Sequence, residues 1–576
     1  MPGAERGTEA MDRAMGLERL AGRIMLLAGW RRALVAFGAG LLATFALAPY
    51  NLPAVGFVSF PLLVWLIDGA SGDPGHGWIR RLAPAFRVGW CFGFGYFIGG
   101  LWWLGAALLV DGDAFLWALP LAVLALPAIL AVYHGLAASA ARLLWSDGPL
   151  RILALAASFA GFEWLRGILF TGFSWNEIGA MVALVPLLMG SLAAVGLHGL
   201  TLGAVFVFAL PAIVAGARRG RAGVLALGVV LACAHVGYGA WRLAVAPQGS
   251  VQGIALSIVQ PNILQSQKWD EAESERIFSR LLTLSAPPSG TFAPKVVPQD
   301  DVSPDAAEAG EPAATPDAVP APEPIVRRLV VWPESAFPFV LTERPDAVAR
   351  LAETLAPNDT LLAGAMRVEA SGGEPRFYNS LYVIGEDGAV EAAGDKLHLV
   401  PFGEYLPFQP LLESWGITQL TELPGGFSPG AVRRPLRAGE GGPRFLPLIC
   451  YEIIFQDEID VPADERPEFI LNVTNDAWYG MTPGPYQHLR QAELTAVAFG
   501  LPLVRAANTG ISAVTDSAGR PVAGLRLGET GTVEAALPLA GAPTLFSQYR
   551  NLPFAILLLA SILASGAAAA SFSRRD

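Results

Sequence analysis

Charge is what this 576-residue chain has least of: Asp, Glu, Lys and Arg make up 15% of it, against about 25% in an ordinary soluble protein. With 53% hydrophobic residues and a mean hydropathy of +0.45, it cannot cover itself with solvated side chains. That excludes an ordinary cytosolic protein and wholesale disorder. An excess of positive charge is lacking too. The 39 basic and 50 acidic residues leave a net charge of −11, so a nucleic-acid partner is not expected. Cysteine is scarce: Cys91, Cys233 and Cys450 stand far apart without a pairing pattern. This argues against a disulfide framework or a cysteine zinc site, and no metal or cofactor is expected. Repeats of solenoid length are absent. The first 30 residues mix Glu5, Glu9, Asp12 and Glu18 with arginines and lack the apolar core of a signal peptide, so they read as a cytoplasmic amphipathic segment.

Long apolar runs are what the chain does have. A bilayer-spanning helix needs roughly 20 mostly apolar residues. Eight stretches qualify as candidates: about 31–49, 53–68, 86–109, 115–141, 150–169, 190–216, 222–242 and 552–571. The second is short and flanked by proline. Sixteen arginines fall in the segments on one side of this arrangement, from Arg6 to Arg32, Arg80 to Arg87, Arg142 and Arg151, Arg218 to Arg221, and Arg574 and Arg575. The short loops on the other side, near 50–53, 110–114 and 170–189, carry none. The positive-inside rule then places both termini in the cytoplasm and segment 245–550 outside. The expected layout is a cytoplasmic segment 1–30, seven helices in 31–244, an outer domain 245–550, and an eighth helix with a short tail in 551–576.

Segment 245–550 changes character. Strand-like runs at 253–260, 328–332, 360–365, 379–385, 389–394, 445–449, 469–474 and 511–516 alternate with helical patterns at 270–285, 345–356 and 485–500. This reads as a layered α/β domain. Residues 286–325 interrupt it. They are rich in Pro and Ala, and every charged residue between 296 and 326 is acidic, which reads as a disordered surface insertion.

Three places in this domain carry chemistry. In Leu329-Val330-Val331-Trp332-Pro333-Glu334-Ser335, proline ends a β-branched strand and leaves a carboxylate at its tip. Strand ends are where α/β folds gather catalytic groups. In Asp395-Lys396-Leu397-His398-Leu399-Val400-Pro401-Phe402-Gly403-Glu404-Tyr405, a lysine follows a hairpin marked by Asp387-Gly388. A positioned ammonium can hold a developing oxyanion. His398 reads as packed or capping. In Phe445-Leu446-Pro447-Leu448-Ile449-Cys450-Tyr451-Glu452, an apolar strand runs into the domain's one cysteine. A strand-to-helix turn there would favour thiolate. Taken singly, each has a bland alternative: a solvated acid, a surface lysine, an inert buried thiol. In the membrane region, Glu163 and Arg166 stand three apart on one helix, either a functional ion pair or a structural one.

Glu, Lys and Cys in that order, carried by WPES, DKLHLVPFGEY and ICYE, resemble the nitrilase superfamily. The apolar segments narrow the likeness to its membrane-embedded acyltransferase branch, which completes lipoprotein maturation in the bacterial inner membrane. Further matches are Gln265-Ser266-Gln267-Lys268-Trp269, Thr171-Gly172-Phe173-Ser174-Trp175 and Asn475-Asp476-Ala477-Trp478-Tyr479-Gly480. The likeness covers roughly 31–571. The additional N-terminal residues and the acidic insertion depart from it without interrupting a motif.

The resemblance implies an αββα sandwich for the outer, periplasmic domain. It also implies transfer of an acyl chain from a phospholipid to the α-amine of an apolipoprotein's diacylglyceryl-cysteine, through a thioester on the enzyme. Cys450 would be the nucleophile and Glu334 the base, made more basic by burial beside Trp332 and Phe337. Lys396, with the backbone N–H after Cys450, would hold the oxyanion. Glu404, Tyr451, Glu452 and Asn475 would support the site. Trp175, Trp269, Phe402 and Tyr405 would contact lipid, with an interfacial tryptophan belt as the alternative for the two tryptophans. The apolar stretch Phe402, Tyr405, Leu406, Phe408, Leu411, Leu412 and Trp415 would form a lid dipping into membrane lipid; loop packing is the alternative. Two rival functions remain. A membrane-anchored amidase would need no lipid channel, and a transporter or receptor would leave Glu334, Lys396 and Cys450 unexplained.

Overall fold

The computed structural model describes residues 16–73, 75, 77–110, 116–215, 220–268, 270–287, 327–370, 375–408, 414 and 426–573. Trp269, the acidic insertion from residue 288, the first 15 residues, and Leu411, Leu412 and Trp415 of the expected lid lie outside them. The chain forms two units, Met1–Val245 with Pro543–Asp576, and Ala246–Ala542.

The first unit is helical. All eight apolar stretches contain helix, but among the described residues five helices are long and apolar enough to cross a membrane: Trp78–Leu109, Leu116–Leu143, Leu192–Val214, Arg221–Val245 and Leu552–Ser571. A sixth is added if Gly16–Met25 and Gly29–Ala46, bent by 119° against each other, form one span. The count therefore falls short of the expected eight for two physical reasons. Pro53–Asp68 is about 24 Å long at 1.5 Å per residue. Arg151–Ile168 carries three charged residues, Arg151, Glu163 and Arg166. Helices Gly29–Ala43 and Trp78–Leu101 meet backbone to backbone. A Cβ on Gly40 would lie 1.8 Å from the Phe92 carbonyl oxygen, so glycine sets that crossing.

Glu163 and Arg166 do pair, at 2.5 Å, but as part of a larger group. His134 Nε2 lies 2.7 Å from the other Glu163 oxygen, and all three side chains are buried. Arg166 also donates to the carbonyls of Phe173 and Trp175. The group thereby ties the 169–177 loop to its helix. Trp175 is 1% exposed and packs 5.1 Å from Trp103, centroid to centroid. It is a core residue of this unit, which does not suit an interfacial belt.

The second unit is built on two six-stranded sheets. Strands β1 (Ser250–Gln260), β2 (Arg327–Trp332), β3 (Asp359–Glu369), β4 (Arg376–Ile384) and β5 (Val390–Asp395) belong to the first. The second contains β6 (Leu436–Arg437), β7 (Arg444–Ile449), β8 (Phe469–Thr474), β9 (Leu503–Ala507), β10 (Ser512–Thr515) and β11 (Pro521–Leu525). Strand β12 (Gly531–Pro538) returns to pair with β1. Each sheet has three parallel strands at its centre, β1-β2-β3 and β7-β8-β9, with antiparallel strands outside them. Gln260 on β1 accepts from the Ser512 N–H at 3.0 Å and hydroxyl at 2.6 Å, joining the sheets. Helices Glu271–Ser285 and Pro345–Thr354 bury Ile277, Phe278, Leu281, Ala347 and Leu351 with Val330, Trp332 and Leu361 of the first sheet. Helix Pro483–Phe499 packs beside the second sheet, where Thr495 Oγ1 donates to the Ile453 carbonyl at 2.8 Å. The result is an α/β sandwich whose central parallel strands end on one edge.

Candidate active site

Glu334, Cys450 and Asn475 follow the C-terminal ends of β2, β7 and β8, where parallel strands point their last residues at a common crevice. The Glu334 turn needs room on β3. A Cβ at Gly364 would meet Glu334 Cα at 2.5 Å and the Pro333 carbonyl oxygen at 2.6 Å. Ser335 turns in the left-handed region, at φ 47°. The Glu334 carboxylate is buried and accepts from Asn379 Nδ2 at 2.7 Å and from the Asn475 N–H at 2.9 Å. Its Oε1 is 3.6 Å from Lys396 Nζ.

Lys396 is 1% exposed, and its Nζ donates to Glu404 Oε1 at 2.9 Å. Burial alone would lower this ammonium. The Glu404 and Glu334 carboxylates outweigh burial and raise it above its ordinary value. Glu404 closes its own loop by accepting from the Val400 N–H at 2.8 Å. Asn379, on β4, spans both carboxylates, with Nδ2 also donating to Glu404 at 2.9 Å. Its Oδ1 is left buried without a partner among the described residues.

Cys450 begins a 3-10 turn, Cys450–Ile454, with φ 53°. Glu452 holds this turn, accepting from the Ile449 N–H at 2.8 Å. Its other oxygen accepts from the Leu397 N–H at 2.8 Å and from Arg433 at 2.7 Å. One carboxylate thus clamps the Cys450 turn to the segment after Lys396. The expected thiolate is corrected here. Burial pushes the Cys450 thiol up and the Glu334 carboxylate adds to it, while Lys396 opposes both. The helix that follows is a single 3-10 turn, not a full α-helix whose dipole would favour the anion. Tyr451 is buried and stacks edge-on with Phe455 at 4.8 Å. His398 is packed as expected, lying on Phe455 at 3.7 Å and 2.7 Å from Glu458.

Several residues of the site escaped sequence reasoning. Besides Asn379 they include Asn508, which donates to Asn475 Oδ1 at 2.9 Å; Gln265, from a motif the sequence did show, accepts from Asn475 Nδ2 at 2.6 Å. Beneath Cys450 lies a buried set. His488 Nε2 is 3.2 Å from the Cys450 carbonyl oxygen, and its Nδ1 is 2.8 Å from Asp476 Oδ1. Arg505 donates to Asp476 Oδ2 at 2.8 Å and also to Asn472. Burial would raise Asp476, but Arg505 and His488 bring its carboxyl down to about 2. Their signal was present: a polar residue inside an apolar strand, Asn472 in FILNVT and Arg505 in LVRAA, must find a buried partner.

Phe402 and Phe408 are 52% and 81% exposed, and both have positive φ. Tyr405 is half-buried, and its carbonyl accepts from the Phe402 N–H at 2.8 Å. Among the described residues, no group of three His, Cys, Asp or Glu side chains could hold a metal.

A buried cysteine, glutamate and lysine at the strand ends of such a sandwich define the carbon-nitrogen hydrolase class, and residues 259–544 match the family described as Carbon-nitrogen hydrolase. Residues 39–210 match the Apolipoprotein N-acyltransferase N-terminal domain. The Apolipoprotein N-acyltransferase of Brucella suis is 49% identical over 97% of this chain and 99% of its own. That of Rhizobium leguminosarum is 48% identical over 95% and 98%. The chain belongs to the apolipoprotein N-acyltransferase family, and it is a multi-pass membrane protein. Among solved structures, a mutant amidase from Nesterenkonia sp. AN1 is 18% identical, with a TM-score of 0.31 over 54% of this chain and 98% of its own.

Proposed function

We propose that this chain moves an acyl chain from a membrane phospholipid to the N-terminal amine of a diacylglyceryl-cysteine on an apolipoprotein, by way of a thioester on Cys450. The observation that carries the reading is the buried Glu334–Asn379–Glu404–Lys396 array facing Cys450 in a chain of the N-acyltransferase family. Burial and Glu334 push the Cys450 thiol up, which calls for attack coupled to proton removal. Glu334 takes the proton as Sγ adds to the ester carbonyl. Lys396 and the Tyr451 N–H hold the oxyanion. The C–O bond then breaks, Glu334 returns the proton to the departing lysophospholipid alkoxide, and the thioester remains. In the second half, the acceptor amine adds to the thioester carbonyl and Glu334 takes its proton. The C–S bond breaks, and that proton goes back to the thiolate. Lys396 stays charged throughout, held by Glu404.

Glu404, Glu452, Asn475 and the side chain of Tyr451 are positioning groups in this scheme. Exposed Phe402 and half-buried Tyr405 would contact the acyl chain, whereas Trp175, packed in the core of the helical unit, is not assigned to that contact. The membrane is the bacterial inner membrane, crossed eight times, with both termini cytoplasmic and the catalytic unit periplasmic. The short Pro53–Asp68 helix and the charged Arg151–Ile168 helix supply the crossings beyond the six apolar ones.

The test uses purified full-length protein, phospholipid labelled in its acyl chains, and a diacylated lipopeptide. Labelled triacylated peptide is the expected product. Release of free fatty acid alone, or hydrolysis of soluble amides without transfer, would favour an amidase instead.

A further inference from the structure

The chain contains three lysines, Lys268, Lys295 and Lys396. Lys396 has two carboxylates for its charge. Lys268 is equally buried, at 3% exposure, yet among the described residues it forms no ion pair. Its Nζ donates to a backbone oxygen, the carbonyl of Glu334, at 3.0 Å. An ammonium in a protein interior costs far more than a neutral side chain unless something nearby returns the cost.

The surroundings show what that is. Lys268 follows the 3-10 turn Gln265–Gln267. From this turn Gln265 reaches Asn475, whose own N–H donates to the Glu334 carboxylate. One short segment therefore grips Glu334 twice, at its carbonyl through Lys268 and at its carboxylate through Asn475. The carbonyl it grips belongs to the turn that leads into the left-handed Ser335. The groups whose charge acts on the Lys268 ammonium are Glu334 and Cys450, the two between which the proton passes in the proposed mechanism.

We propose that Lys268 is a second cation of the active site, a positioning residue that fixes the Glu334 turn through its carbonyl and whose charge favours ionised Glu334 and the thiolate forming at Cys450. The proposal rests on the reading of Glu334 and Cys450 as base and nucleophile. It adds a role that the Lys396–Glu404 pair cannot fill, because the Lys396 charge is already matched. Burial lowers the Lys268 ammonium to about 8, against the pull of Glu334 and Cys450. Its charge is therefore present at neutral pH and fades as pH rises through that value. Other charged and titratable groups around Glu334 and Cys450 include Lys396, Glu404, Asp476 with His488 and Arg505, and Tyr479.

The experiment reads Cys450 directly and does not depend on acyl transfer. Full-length protein in detergent is alkylated with iodoacetamide from pH 5 to 10, and Cys450 is followed by peptide mass. In K268Q, which keeps a donor but loses the charge, alkylation slows about tenfold at neutral pH, and the pH of half-maximal rate rises by about one unit. K268R, whose charge persists to high pH, keeps the parent's rate at neutral pH and lacks the inflection near pH 8. Profiles for K268Q and the parent that superimpose after scaling would mean a purely structural lysine and overturn the proposal. If K268Q does not accumulate, the parent alone decides: an inflection near pH 8 is expected, and its absence overturns the proposal. A parent that alkylates as described but makes no triacylated peptide would fail the proposed function and leave the role of Lys268 standing.

Discussion

Burial and the neighbouring Glu334 carboxylate push the Cys450 thiol up. In the proposed mechanism such a thiol is activated when Glu334 takes its proton. The same logic sets the cost of losing Lys396. Removing one oxyanion donor costs on the order of 10²–10³ in rate. Lys396→Ala also leaves Glu404 without its cation, so turnover should fall by at least about 10² in protein that still inserts. Turnover of labelled phospholipid within about threefold of the parent would remove Lys396 from the oxyanion site. At this scale the sequence was legible where chemistry and chain punctuation coincide: Pro333 before Glu334, the Asp387-Gly388 turn before Lys396, the apolar strand before Cys450. It was opaque for Asn379 and Lys268. Nothing local distinguishes an asparagine that bridges two carboxylates from one that faces water. Nor does a lysine's sequence neighbourhood reveal that its ammonium ends on a carbonyl.

At the scale of elements, the site depends on two features of the sheets. Gly364 on β3 is the floor under the Glu334 turn. Gly364→Ala should cost about 1–3 kcal/mol by overpacking, and a shift of Glu334 by about 1 Å should cut turnover by about 10². Parent-like activity would show that the turn can yield without loss. The second feature is the Asp476–His488–Arg505 set behind Cys450. The Asp476 carboxyl sits at about 2 when folded, against an ordinary 3.8. Its folded value lies below the unfolded one, so its stabilisation is full above about pH 4 and is lost as pH falls toward 2. Asp476→Asn leaves Arg505 buried without its ion pair, which should cost about 3–5 kcal/mol. Thermal melts between pH 5 and 2 should converge for parent and variant; parallel curves would contradict the pairing. Strands with β-branched runs and clear turn residues, such as β2 and β8, could be read in advance. β9, Leu-Val-Arg-Ala-Ala, and β12, Gly-Thr-Val-Glu-Ala-Ala-Leu-Pro, could not. Their alanines and buried charges mimic helix or loop, and only pairing with β8 and β1 makes them strands.

For the whole molecule, hydropathy located the helices, but among the described residues five or six of the eight stretches are long and apolar enough to cross a membrane, because a run length says nothing of a charge inside it and one stretch is a short helix. The arginine asymmetry carries the proposed orientation. Reporter fusions after residue 218 should read as cytoplasmic, and fusions near 300 as periplasmic; a cytoplasmic signal near 300 would reverse the catalytic unit's side. The central claim is that Cys450 holds the acyl chain between donor and acceptor. Intact-mass analysis of the purified protein with phospholipid alone tests it most directly. The account predicts one added fatty acyl mass, mapped to Cys450, cleaved by hydroxylamine, discharged by diacylated peptide and absent from Cys450→Ala. An acyl group on another residue, or triacylated peptide made by Cys450→Ala, would contradict it.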